Sequence, residues 1–120
     1  MNYYRFDIHT ENDISTYNAI TNLLQLSPKN VNQKDEFAYS IWAYEIETDS
    51  KDEPFDFINN FLDILEPKFE ELAKIQINKD NITFWFLYEY DQQCNMEFNP
   101  REMKRLGENE ITLCISCWEK

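Results

Sequence analysis

Cys114-Ile115-Ser116-Cys117 is a C-x-x-C string, a spacing that serves redox and zinc sites when a turn or helix start brings both sulfurs together. Here it lies inside an alternating run, Ile111, Leu113, Ile115 and Cys117 against Thr112, Cys114, Ser116 and Trp118. The two thiols are therefore expected on opposite faces of a strand. With Cys94 the chain has 3 cysteines, an odd number at uneven spacing that fits reduced thiols and not a disulfide framework. Cys94, Cys114, Cys117 and His9 form a permissible zinc set by type, but their spacing does not support one. Asp7, His9 and Glu11 alternate towards Asp13, as a metal or acid–base cluster at a strand end requires. A polar face running into a helix cap is the commoner meaning of that pattern. His9 is the only histidine, so every Ser-His-Asp or Cys-His mechanism would depend on it. The expectation is a non-enzyme with no metal, no cofactor and no catalytic residue.

The carboxylates offer a different chemistry. The 23 Asp and Glu against 11 Lys and Arg give a net charge of −12, which repels nucleic acid and anionic membranes and attracts a basic protein. Asp49, Asp52, Glu53 and Asp56 gather around an expected helix start, and Asp63, Glu66, Glu70 and Glu71 follow along the same helix outside its apolar stripe. As a solvated face they need no partner; as a binding face they suit a basic groove. The aromatic residues, 16% of the chain, would suit base stacking only beside a basic groove, and are expected in the core.

These groups need a scaffold. At 120 residues the chain is expected to form a single domain over 1–120, burying roughly two-thirds of its unfolded surface. A single Gly, where average usage gives about eight, excludes glycine-rich phosphate loops. The opening residues lack a basic region followed by an apolar run, and no apolar stretch approaches membrane-spanning length. Both facts point to the cytoplasm.

The run Ile82 to Tyr90 is apolar on both faces and reads as a central strand covered on both sides. Residues 3 to 9 read as a half-buried, off-centre strand, and Phe37 to Thr48 as a second interior strand. Asn12 and Asp13 cap a helix carrying Ile14, Tyr17, Ile20 and Leu24, followed by a polar loop from Pro28 to Glu36. An acidic linker over 49–53 leads to Pro54 in the first turn of a long helix. Phe55, Ile58, Phe61, Leu62, Leu65, Phe69 and Leu72 form its apolar stripe, kinked or split at Pro67.

A connector over 74–81, with a short strand at Ile75 to Ile77 as an option, precedes the central strand. Asp91-Gln92-Gln93 then reads as a hairpin turn into a one-sided strand through Cys94, Met96 and Phe98. Asn99, Pro100, Glu102 and Gly107 frame a short helix with the glycine just past its end, and 111–118 closes the chain as a strand. The expected fold is α+β, order βαβαββαβ, with about five strands in a mixed sheet and two to three helices packed on it.

That order, with Ile41-Trp42, the long helix and the run Phe98-Asn99-Pro100 through Leu106-Gly107 to Thr112-Leu113-Cys114-Ile115-Ser116, resembles a widespread family of small bacterial domains of unknown function. The chain departs from it in its near absence of glycine and in ending on Cys117-Trp118. By type, in size and acidity, it resembles the immunity proteins of contact-dependent growth inhibition. That likeness implies a toxin inhibitor that covers a basic toxin domain, for instance a nuclease, with an acidic surface. Two further readings are a phage-type nucleic-acid mimic that blocks a host DNA-binding protein, and a small metal-dependent hydrolase using Asp7, His9 and Glu11.

Overall fold

A computed structural model of the chain describes residues 1–30, 35–49 and 54–120. Its strands are β1 (Asn2–His9), β2 (Ile41–Thr48), β3 (Ile82–Tyr90) and β4 (Thr112–Glu119). They form one mixed sheet in the order β2-β1-β3-β4, antiparallel except for the parallel pair β3 and β4. The helices are α1 (Ile14–Leu24), α2 (Phe57–Leu65), α3 (Phe69–Lys74) and α4 (Pro100–Glu108). α2 and α3 are one helical unit interrupted by a 3-10 turn over Glu66–Lys68, because Pro67 has no N–H to continue the ladder. The fold is a single α+β domain with three helical units among the described residues.

The register aligns Phe6 with Tyr44 and Phe84, and Ile8 with Trp42 and Ile82, so these side chains share one face. The helices pack there. Phe61 of α2 is fully buried and meets Phe6 edge-on at 5.1 Å and Phe84 at 5.4 Å between ring centres. Tyr4 lies tilted against Phe57 at 5.4 Å and meets Phe86 edge-on at 4.9 Å. Edge-to-face pairs of this kind add about 0.5–1.5 kcal/mol each beyond burial. Trp42 is equally buried, and its indole N–H donates to Thr21 of α1 at 3.0 Å, which removes the penalty of a buried donor.

The opposite face carries Tyr3, Arg5, Asp7, Trp85 and Leu87, outside the hydrophobic cluster. β3 is central as expected, but among the described residues its helix cover lies on one side only. Trp85 and Leu87 are half-buried.

Several expectations are corrected. β1 is central, with Tyr4, Phe6, Asp7 and Ile8 buried, where its charged residues suggested an off-centre strand. β2 is an edge strand and begins at Ile41: residues 35–37 form a 3-10 turn, and Phe37 and Tyr39 are 48% and 38% exposed. β2 reads as interior because its residues are apolar on both faces; in the structure the backbone of Lys29 bridges to Ala43 at 2.7 Å and covers part of its free edge.

Among the described residues the sheet has four strands and not about five. Asp91–Gln93 does turn the chain, but 94–99 is irregular because β1 and β4 already occupy both edges of β3. Phe98 packs instead against Phe86, at 6.4 Å between centres. The optional strand at 75–77 is a turn, with Gln76 at φ 67. Pro54 precedes α2, whose cap is Asp56. Gly107 lies inside α4, and Glu110, at φ 56, takes the left-handed position beyond it.

Candidate partner-binding surface

Of the eight carboxylates expected to form an acidic face, Asp52 and Glu53 lie outside the described residues, as do 31–34 of the polar loop and 50–53 of the acidic linker. The other six are on the surface or near it: Asp49, Asp56, Asp63, Glu66 and Glu70 are exposed and Glu71 is half-buried. Asp49 closes off the end of β2, and the rest follow the α2–α3 unit.

Asp56, Asp63 and Glu66 form one stripe with Asn59 between them, because residues spaced three and four apart share a helix face. Asp56 caps α2: its carboxylate accepts from the Asn59 backbone N–H at 3.4 Å and from the Asn59 amide at 2.8 Å. Arg105 of α4 reaches across to the same stripe. Its guanidinium donates to Asn59 Oδ1 at 2.8 Å, Asp63 at 2.8 Å and Glu66 at 3.0 Å. Asn109 adds a bond to Glu66 at 3.3 Å, and Glu102 accepts from Asn59 at 3.1 Å.

Hydrogen bonding from Arg105 holds the Glu66 carboxyl below its usual range, and the two carboxylates push the guanidinium further up. Two carboxylates, Asp63 and Glu66, thus hold the guanidinium directly, and two more, Asp56 and Glu102, accept from the Asn59 amide beside it. The array is fixed in position and remains negative, with the Asp63 side chain 72% exposed.

Asn59 and Arg105 were absent from the sequence-based site. The three-four-three spacing of 56, 59, 63 and 66 was the readable signal for Asn59, whereas the position of Arg105 follows only from the docking of α4 on α2. Glu70 stands apart from this network in α3, and Glu71 Oε2 is buried with no hydrogen-bond partner among the described residues.

The second cluster divides. Asp7 is 3% exposed on the open face of β1, with Arg5 Nε at 2.8 Å and a hydrogen bond from Arg5 Nη2 at 3.3 Å. Burial pushes its pKa up, against the opposing pull of Arg5. His9 and Glu11 instead line a cavity of about 440 Å³ with Asp13, Gln76 and Asn81, a setting Asp7 does not join. No group of three or more His, Cys, Asp or Glu suited to a metal occurs among the described residues. Among the described residues no helix is long and apolar enough to cross a membrane.

The cysteines separate as well. Cys114 points to the open face and is half-buried, while Cys117 is exposed on the other face opposite Tyr88. Among protein families, curated proteins and solved structures, none matches this chain.

Proposed function

We propose that this protein is a binding protein without catalytic activity, an immunity protein that neutralises a basic bacterial toxin domain by presenting it with an acidic surface. The observation that carries the reading is the Asp56–Asn59–Asp63–Glu66 stripe held by Arg105. Carboxylates already fixed in place lose little side-chain freedom when a partner binds, which conserves affinity.

The surrounding field supports the same reading. Arg5 is committed to Asp7, Lys29 to Glu45 and Arg105 to Asp63 and Glu66, and the net charge of the chain is −12. Such a field speeds encounter with a basic partner and rejects acidic ones. A nuclease, whose groove must attract phosphates, fits it well. Effective neutralisation needs nanomolar affinity or better, about −12 kcal/mol.

The test is capture of partners from the native cell on the immobilised protein at low and then moderate salt, followed by stopped-flow association with whatever is retained. A stoichiometric basic toxin domain whose on-rate falls steeply with salt is the expected result. A host DNA-binding protein displaced by duplex DNA would replace this reading with nucleic-acid mimicry. Salt-insensitive binding would remove the acidic stripe from it.

A further inference from the structure

On the helix-bearing face, β1 and β3 pair Tyr4 with Phe86 and Asn2 with Tyr88, so these positions line up towards one end of the sheet. Beside them lie the approach to α2 at Pro54 and the irregular segment through Glu97 and Asn99. Together they form a groove with two lobes of about 490 and 220 Å³, and Pro54, Phe86, Glu97 and Asn99 wall both.

The groove is aromatic below and negative around. Tyr4 and Phe86, 1% and 6% exposed, floor the larger lobe, and Phe57 and Phe98 add aromatic surface to the smaller. Asp56, Glu97 and Glu102 bring carboxylates, and among the described residues no Lys or Arg lines either lobe. Acceptors here lack donors. Asn2 lines the larger lobe at 8% exposure, and its Oδ1 is buried with no hydrogen-bond partner among the described residues. In the smaller lobe the Glu102 Oε1 accepts from Asn59 at 3.1 Å, while its Oε2 is buried and equally unpartnered. A buried acceptor without a donor is costly, and a ligand that brings the donor recovers that cost.

We infer that this groove receives an arginine side chain of the basic partner, an inference that rests on the reading of the protein as an acidic binding protein. A guanidinium is planar and weakly hydrated, stacks on aromatic faces and fans its N–H donors outward in one plane. Seated on the aromatic floor against Glu97, the carboxylate common to both lobes, it donates to Glu97 and towards the unpartnered oxygens. A lysine ammonium is more strongly hydrated and has no flat face to stack. Asp56 belongs both to this groove and to the stripe with Asn59, Asp63 and Glu66, so the arginine sits at the edge of the surface that attracts the partner. Arginines desolvated in such pockets are among the side chains that carry most of an interface's affinity.

The experiment titrates the whole isotope-labelled protein with N-acetyl-arginine N-methylamide at low salt and follows the amide resonances, with the uncharged citrulline counterpart as control. The expected result is a saturable shift confined to the Asn2 side-chain amide and to residues such as Tyr88, Glu97 and Glu102, with no response to citrulline. Glu97→Gln and Glu102→Gln should each weaken binding about fivefold. Glu47→Gln removes the same charge from an exposed position on the opposite face and should leave binding unchanged. Shifts scattered over all the surface carboxylates, an equal response to citrulline, or equal affinity in Glu97→Gln and Glu47→Gln would each overturn the inference. Failure of the functional reading looks different: the probe binds in the groove, yet no basic protein is retained from the cell, which removes the partner as the source of the arginine. With a partner in hand, a double-mutant cycle between Glu97→Gln and Arg→Ala changes in the partner should find one strongly coupled arginine. Additivity at every arginine would place the partner elsewhere and overturn the inference, while the acidic stripe kept its role.

Discussion

Arg5 and Arg105 both hold carboxylates, yet they do so in opposite surroundings. Arg5 and Asp7 sit on the open face of β1 with side chains 18% and 4% exposed, while Arg105 serves Asp63 and Glu66 at side-chain exposures of 28%, 72% and 39%. Burial makes the first pair hard to break and weak as a net stabiliser, since desolvation offsets much of the attraction. Exposure makes the second array cheap in energy and available to a partner. The two carboxyl pKa values record the difference: Asp7 is pushed up by burial, and Glu66 is pulled down by Arg105.

The largest effect should come from removing the cation of the buried pair. Arg5→Ala leaves Asp7 charged and alone, and should destabilise by about 3–5 kcal/mol at neutral pH, measured by urea unfolding. A loss below about 1 kcal/mol would mean that water reaches Asp7 and that the pair belongs with the exposed class. Next in size is Trp85→Ala. The Trp85 ring lies 5.6 Å from the Arg5 guanidinium and is half-buried, so about 1–2 kcal/mol is expected in the same assay. That is well short of a core tryptophan.

The two carboxyls should also part company with pH. Asp7 has its folded pKa raised above 3.8, so its contribution to stability is fully present below that value and is lost as pH rises through the folded pKa. Glu66 is lowered from 4.5, so its contribution is present above that value and is lost as pH falls through the folded pKa. Asp7→Asn should therefore gain on the parent protein as pH rises from 3 to neutrality, on the order of the interval between those pKa values, and Glu66→Gln should lose ground over the same climb. Unfolding curves across that range that run parallel for both variants would erase the distinction.

The smallest stability change belongs to Arg105→Ala, about 1 kcal/mol. Its informative readout is kinetic. Removing one positive charge takes the protein from −12 to −13 and frees Asp63 and Glu66, so association with a basic partner should quicken at low salt. Slower association would instead show that the fixed geometry of the stripe matters more than its charge.

Much of the scaffold was legible in the sequence. β3, α1 with its Asp13 cap, and the break at Pro67 announce themselves through periodicity and local backbone chemistry. The central place of β1 did not. Arg5 and Asp7 alternate with Tyr4, Phe6 and Ile8 as solvent-facing residues would, and their pairing is invisible to a pattern that scores each residue alone. The 94–99 segment alternates as a strand does, but alternation cannot reveal that β3 has no edge left to offer. The acidic stripe was half legible for the same reason: Asp56, Asp63 and Glu66 share a helix face by spacing, whereas Arg105 arrives from 39 residues beyond Glu66.

The strand order 2-1-3-4 also sets a timetable for the emerging chain. β1 is made first, but its second neighbour spans Ile82 to Tyr88, so an N-terminal piece can form only the β1–β2 ribbon and its helices. Until β3 leaves the ribosome, Tyr4, Phe6 and Phe61 lack Phe84 and Phe86 to close around them. Synthesis at about 5–20 residues per second holds that aromatic surface open for seconds after β1 emerges. A pause in translation just before Ile82 is where this protein is most exposed to chaperones and to aggregation.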